Sequence, residues 1–323
     1  MECVDFFLEI TATIGFICVC KAVIKFLKWV WMMFLRPPKQ LKEYGSWAMI
    51  TGSTDGIGKA MAFELASKGL NLLLVGRNPQ KVEATSNEIR EKHGVEIKFV
   101  VIDMQKVDGK EITKRVEEAI DGLDVGLLVN GAGLAYPYAK FFHEVDKELM
   151  DGIIKVNLEG LTWITKAVVP TMIKKKKGAI VNIGSGSTVV LPSYPLVSLY
   201  AATKAYLAMF SRCINLEYKD QGIDIQIQVP LYVSTKMSKM KRSIFVPSSE
   251  TYSKACLRWI GYEKMVVPYL LHSLQGFLLR AIPEPSLDSY MLNYFLQSRK
   301  RGLLKDSKVL RIKNKGNCSP SCK

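Results

Sequence analysis

Histidine is scarce in this 323-residue chain. The three present, at 93, 143 and 272, include no pair one helical turn apart, so the His-rich spacings that hold a catalytic or structural metal are missing. Seven cysteines are scattered at 3, 18, 20, 213, 256, 318 and 322. Cys318 and Cys322 have three residues between them, and no second pair stands at ligand spacing. This excludes a zinc site and a disulfide framework and points to a reducing compartment. Acidic residues are short too, 30 against 45 Lys and Arg, for a net charge of +15. The excess is local: residues 299–323 carry +8 and residues 1–42 carry +3, leaving +4 for the whole middle. A basic tail beside a nearly balanced core fits a membrane surface or a solvated arm. No helix-turn-helix, zinc-finger or RNA-platform pattern accompanies the charge, so nucleic acid is not expected as a partner. No internal repeat or low-complexity tract precedes the tail.

The N-terminus lacks the order of a secretory signal, in which positive charge precedes the apolar run. Here Asp5 and Glu9 come first, the apolar stretch runs from Phe6 to Leu35, and Lys21, Lys25, Lys28, Arg36, Lys39 and Lys42 lie within or after it. Pro37-Pro38 ends the helix. Because positive charge stays cytosolic, the expectation is a membrane-associated segment with a lumenal N-terminus and a cytosolic catalytic domain. No run of about 20 uncharged residues occurs. Lys21, Lys25 and Lys28 share one helical face, so the segment either spans with snorkelling lysines or lies partly along the surface.

From Tyr44 onward, short apolar runs alternate with helical stretches. Strands are expected at 47–51, 70–76, 97–103, 125–131, 179–185 and 223–230. This alternation predicts an α/β fold, a doubly wound parallel sheet with right-handed crossovers. Ligands of such sheets bind beyond the C-terminal strand ends. The expected organisation is a membrane anchor with basic flank (1–42), a nucleotide-binding catalytic domain (43–262), an apolar segment lying on the membrane (263–298) and a basic tail (299–323).

Thr51-Gly52-Ser53-Thr54-Asp55-Gly56-Ile57-Gly58 joins the first strand to the first helix of that domain. Glycines there permit a tight turn and close approach to a pyrophosphate, which the free N–H groups of the helix N-terminus attract. An NAD site would place Asp or Glu at the end of the second strand, for the ribose 2′-hydroxyl. This chain has Gly76-Arg77-Asn78. An Arg pairs with a 2′-phosphate and accepts nothing from a hydroxyl, which favours NADPH.

Tyr200 and Lys204 stand at i, i+4 on one helical face. A phenol near pKa ~10 exchanges protons poorly at neutral pH, and an adjacent ammonium favours its phenolate. Upstream, Asn182-Ile183-Gly184-Ser185-Gly186-Ser187 offers two serines to polarise a substrate carbonyl. Ser187 precedes Tyr200 by thirteen residues and Ser185 by fifteen. Ser185 is preferred because it directly follows the strand, where its side chain is fixed.

These residues together resemble the short-chain dehydrogenase/reductase superfamily. The match is carried by TGSTDGIG, the NGAG at 130–133, Asn157, the Ser185/Tyr200/Lys204 set and Pro230…Thr235-x-Met237. Within it the chain looks like the plant very-long-chain 3-oxoacyl-CoA reductases of microsomal fatty-acid elongation. YGSWAMITGSTDGIGKA, KGLNLLLVGRN, YPYAKFFHEVD, LPSYPLVSLYAATKAY and QVPLYVSTKM carry that closer likeness. The resemblance implies a Rossmann domain in which Tyr200 donates the proton, Lys204 activates it, Ser185 holds the carbonyl and Asn157 supports a proton relay. Asp103 would lie near the adenine, Asn130 beside the adenine ribose, and Thr235 would hold the nicotinamide amide. The implied reaction is NADPH-dependent reduction of a 3-oxoacyl-CoA thioester at the endoplasmic reticulum membrane, with elongase proteins as partners and a homo-oligomer left open. Gly131 replaces the family's usual second Asn, Leu231 replaces a usual Gly, and the C-terminus shows no dilysine retrieval signal.

Lys236, Lys239, Lys241 and Arg242 follow Thr235 and suggest contacts to coenzyme A phosphates. Residues 265–282, apolar but broken by Pro268, His272, Gln275, Gly276 and Arg280, suggest a surface-lying entry for a long acyl chain. Two other functions compete: reduction of a steroid or other bulky apolar ketone, and a weakly active scaffold role in an elongase assembly.

Overall fold

Runs such as Trp47–Thr51 and Asn71–Gly76 are apolar on both faces, the pattern of parallel strands covered by helices on either side. The computed structural model of the chain describes residues 2–316 and divides into two units, 1–38 and 39–323. In the larger unit seven parallel strands form one sheet: β1 (Trp47–Thr51), β2 (Asn71–Gly76), β3 (Ile97–Val101), β4 (Val125–Asn130), β5 (Gly178–Ile183), β6 (Ile223–Gln228) and β7 (Met265–Val266). Their order, β3-β2-β1-β4-β5-β6-β7, reverses direction between β1 and β4, where ligands of such folds bind. Alternate side chains separate into two cores. Ala48, Ile50, Leu72, Leu74, Leu127 and Val129 face one helical layer, and Met49, Leu73, Val75 and Leu128 face the other. Burying each Leu, Ile or Val contributes about 1.5–3 kcal/mol.

Polar residues start the helices that frame the sheet. Asp55 opens α2 (Gly56–Ser67), and Asn78, followed by Pro79, opens α3 (Pro79–His93). Asp108 and Asp146 cap α4 (Gly109–Ile120) and α5 (Lys147–Ile154). Each cap oxygen satisfies an N–H that the first helical turn leaves unpaired, contributing about 1 kcal/mol. The five expected strands after 47–51 appear within two residues of their predicted positions, and all but β2 end earlier than predicted. Their last residues turn out of the sheet into the loops that build the site.

The expected boundaries at 262/263 and 298/299 are not breaks in the fold. β7 pairs with β6. Beyond it, α10 (Leu270–Arg280) and α11 (Glu284–Gly316) follow. Leu287, Met291 and Phe295 of α11 bury themselves with Tyr136, Val145 and Leu196. The same helix runs on through the start of the basic tail, held by an ion pair of Arg299 with Glu144 and by Gly302, where a Cβ would sit 2.3 Å from the Tyr138 ring. Charge composition suggested a separate arm at 299, but no helix breaker stands there to make one. The apolar face of α10 is not wholly surface-lying either, since His272 is fully buried. Cys318, Cys322 and the end of the tail lie outside the described residues.

The smaller unit contains α1 (Glu2–Val30), continued by a wider π-type turn over Trp31–Leu35. Its stretch Val4–Leu35 is long and apolar enough to cross a membrane, and its most apolar part is unburied. Thirty-two helical residues reach about 48 Å, more than the ~30 Å of a bilayer core.

Candidate active site

The turn after β1 is fixed by crowding. Thr51 Oγ1 accepts hydrogen bonds from the N–H groups of Gly131 and Ala132, each at 3.1 Å, tying the ends of β1 and β4 together. Gly52 adopts φ +67°, and a Cβ there would come 2.8 Å from the Ala132 backbone; at Gly58 a Cβ would come 2.3 Å from the Gly52 carbonyl oxygen. Only glycine fits either place. Ser53 Oγ donates to the Val75 carbonyl at 3.1 Å, Thr54 approaches Gly76, and Ile57 packs on the core below. Asp55 accepts from the Gly56 N–H and pairs with Lys236 at 2.9 Å. Burial works to raise the Asp55 pKa, but the Lys236 and Gly56 bonds outweigh it and hold the carboxyl below its usual range. Thr235 Cγ2 lies 3.2 Å from where a Gly56 side chain would begin. Thr235 therefore sits over the glycine turn.

At the edge of this crevice, exposed Arg77 donates to Gln105 at 3.2 Å, and Asp103 accepts from the Gln105 N–H, also at 3.2 Å. Both thus sit at neighbouring strand ends, as an adenosine-binding pair would. Asn130 differs from expectation. Its Nδ2 donates to Asn182 at 2.8 Å and Thr165 at 3.1 Å, and its Oδ1 is buried without a partner. The side chain ties β4 to β5 inside the molecule and does not point outward to a ribose. A strand-end position does not reveal which way its last side chain turns.

The carbonyl half of the site is built on β5, α6 (Leu161–Lys174) and α8 (Ser198–Tyr218). Ser185 caps the four-residue α7 (Gly186–Val189) and accepts from the Ser187 N–H at 3.2 Å and its hydroxyl at 2.9 Å. With its lone pairs so engaged, its own proton is free to point at Tyr200, and the nearness of Ser185 works to lower the Tyr200 pKa. The structure places the two serines in contact, with Ser187 donating to Ser185. Lys204 Nζ donates to the Ile183 carbonyl at 2.9 Å and lies 5.8 Å from the centre of the Tyr200 ring.

Asn157 occupies a π-type turn, Lys155–Gly160, between α5 and α6. Such wide turns are frequent at functional sites. Its Oδ1 accepts from the Leu134 N–H at 2.7 Å, and its Nδ2 donates to the Leu134 carbonyl at 2.9 Å and to Thr203 Oγ1 at 3.0 Å. A Cβ at Gly133 would lie 3.7 Å from Asn157 Oδ1 and 3.8 Å from Lys204 Nζ. A side chain there would fill the space between the two groups.

Burial dominates the electrostatics. It raises the Tyr200 pKa, against a smaller lowering by the Ser185 bond, and depresses Lys204 to about 8. The expectation that the ammonium lowers the phenol is not what governs this pair: enclosure wins, and the phenol keeps its proton. Such a group is suited to donating a proton once negative charge develops beside it.

The comparisons agree with this geometry. The short chain dehydrogenase family matches residues 46–244. A very-long-chain 3-oxoacyl-CoA reductase-like protein of Arabidopsis thaliana is 45% identical over 305 residues, 92% of this chain and 97% of that protein. The human very-long-chain 3-oxoacyl-CoA reductase is 35% identical over 269 residues, 82% of this chain and 84% of its own. This chain belongs to the short-chain dehydrogenase family. A solved short-chain dehydrogenase from Sphingobium yanoikuyae in complex with NADPH superposes with a TM-score of 0.60 at 27% identity, covering 74% of this chain and 96% of that one. The chain is accordingly an oxidoreductase dependent on a nicotinamide nucleotide. Its residues fit that group: a crowded glycine turn, a helix N-terminus behind it and Lys204 at the far end.

Some supporting residues lie in or beside these motifs without having been given a role by them. Thr51, Thr203 and Asn182 act by hydrogen-bonding main chain or other site residues. Thr51 could have been read as the strand's last polar residue before the glycine turn. Thr203 and Asn182 could have been flagged only as polar residues in apolar surroundings. Of the basic cluster suggested for coenzyme A, Lys236 is paired with Asp55, and Lys239 donates to the Pro137 carbonyl at 2.9 Å. Only Lys241 and Arg242 fit that suggestion as it stood.

Proposed function

We propose that this protein uses NADPH to reduce the 3-oxo group of a long-chain or very-long-chain 3-oxoacyl-CoA to the 3-hydroxyacyl-CoA. The work would be done at the endoplasmic reticulum membrane, with the catalytic unit in the cytosol and other elongation proteins as partners. The observation that carries the reaction is Ser185, held by Ser187, beside the Tyr200 hydroxyl, with Lys204 5.8 Å from the Tyr200 ring centre. The substrate class follows the reductases that the chain resembles over most of its length. The 2′-phosphate preference rests on Arg77, whose present partner, Gln105, is neutral and gives way readily to a phosphate.

When bound, the nucleotide supplies the hydride. Everything else falls to side chains of this protein. Ser185 donates to the substrate oxygen and orients it, and Tyr200 delivers a proton to that oxygen as negative charge builds on it. Lys204 stabilises the phenolate left behind, and Asn157, anchored to Leu134, holds the path by which the proton is replaced. The N-terminal helix would keep the protein where its apolar substrate is dissolved.

The test is NADPH oxidation by the purified full-length protein, offered 3-oxoacyl-CoAs of several chain lengths and a ketosteroid. Turnover of the thioesters is expected. Turnover of the ketosteroid alone would overturn the proposal in favour of a bulky-ketone reductase.

A further inference from the structure

A 3-oxoacyl thioester carries two carbonyl oxygens, whereas Ser185 and Tyr200 address one. A second donor stands in the same part of the molecule. Tyr194, from the loop between α7 and α8, and Tyr232, from the loop after β6, bring their hydroxyl oxygens within 3.2 Å of each other. Both side chains are half-buried. Tyr194 packs in the same apolar cluster as Tyr200, alongside Leu191, Leu196, Leu199 and Phe295. Tyr294 also reaches Tyr232, and three hydroxyls joined by two hydrogen bonds still leave one O–H proton over, whichever of them donate. In apolar surroundings a spare donor is costly unless a partner meets it. Burial, with an added push from the neighbouring tyrosines, raises Tyr194 to about 12 against a small lowering by the Tyr232 bond, and raises Tyr232 further still. The pair therefore keeps its protons at any pH at which the enzyme works.

Both loops are held firmly. The Tyr194 ring meets Phe295 edge-on, with ring centres 4.6 Å apart. Buried Leu196 holds φ 58°, a left-handed conformation costly for leucine, and its carbonyl accepts from the Lys140 N–H at 2.9 Å. On the other side, His272 is fully buried. Its Nδ1 accepts from the Leu231 N–H at 3.3 Å, and its Nε2 faces the carbonyls of Tyr232 at 3.1 Å and Phe245 at 3.2 Å. Only the neutral ring with its proton on Nε2 satisfies all three.

We infer that the Tyr194–Tyr232 hydroxyl pair is a second oxygen-binding subsite, which takes the thioester carbonyl while Ser185 and Tyr200 take the 3-oxo oxygen. His272 is its positioning residue. The inference rests on the substrate class proposed above and deepens it: the site selects a ketone that has another carbonyl two carbons away.

The experiment compares wild type, Tyr194→Phe and Tyr232→Phe on two substrates, a 3-oxoacyl-CoA and a long-chain monoketone lacking the thioester. The readout is the ratio of kcat/KM for the thioester to that for the monoketone. Each variant is expected to lower this ratio about five- to tenfold, the worth of one hydrogen bond. The double variant should do little more, because both residues serve one bond. An unchanged ratio in both variants overturns the inference, whether activity is untouched or falls equally on the two substrates. Tyr232→Phe provides the second reading should Tyr194→Phe fail to bind NADPH. A wild type that reduces the monoketone and not the thioester overturns the substrate reading itself, and the subsite with it.

Discussion

The nucleotide half and the carbonyl half of this site are made in different ways. The first is a backbone device: consecutive residues 51–58 at the end of one strand, shaped by glycines that leave no room for a side chain. The second is a side-chain device, assembled from the end of β5, the π-type turn at Asn157, helix α8, loops drawn in at residues 194 and 232, and His272 of α10. A local segment can specify the first alone. The second exists only when the whole domain is folded, and there selectivity can vary without disturbing the nucleotide.

The two halves should therefore fail differently. Gly58→Val would force α2 away from the Gly52 carbonyl, and a misplacement of about 1 Å in such a site costs roughly a hundredfold. Both NADPH affinity and turnover should fall, as read by nucleotide titration and kinetics; tight binding in the variant would contradict the crowding argument. Arg77→Asp should act on the nucleotide alone. The NADPH-to-NADH ratio of kcat/KM should fall by roughly ten- to a hundredfold, the scale of one charge-assisted hydrogen bond. An unchanged ratio would remove Arg77 from the cofactor assignment.

In the carbonyl half two further effects are tied to pH. With Lys204 depressed to about 8 by burial, its charge is lost as pH rises through that value. On that limb kcat/KM should decline about tenfold per unit once well past it. A profile flat to the ordinary lysine range would mean that Lys204 is not needed charged. His272 provides a stability counterpart. Burial lowers it to about 4 from 6.5, its two carbonyl contacts opposing that only in part. Between those values the unfolded chain takes up the proton and the folded chain does not. Stability should be full above about pH 6.5 and fall progressively on acidification toward pH 4, by no more than about 3 kcal/mol. Melting temperatures of wild type and His272→Gln across that window check this: the variant should start lower and depend less on pH.

How much of this was legible in the sequence follows the same division. Strand alternation and the glycine turn are local patterns, so the sheet, its nucleotide end and the Ser185/Tyr200/Lys204 set could be read from spacing. The inward turn of Asn130 could not, because its hydrogen bonds to Thr165 and Asn182 join residues 35 and 52 positions apart. Nor could the Tyr194–Tyr232 pair or the role of His272, which reads in sequence only as an interruption of an apolar stretch. β7 was missed because two residues give no periodicity. The helix through 299 was missed because charge drew attention away from the absence of any breaker.

The account turns on Tyr200 as the group that protonates the reduced oxygen. Tyr200→Phe keeps the ring and its packing and removes only the hydroxyl that Ser185 contacts. Measured with saturating NADPH and a 3-oxoacyl-CoA, and with nucleotide binding titrated on the same preparation, the variant should bind NADPH as wild type does. Its turnover should be lower by roughly two to four orders of magnitude. Turnover near the wild-type rate in a variant that still binds the nucleotide would contradict the account.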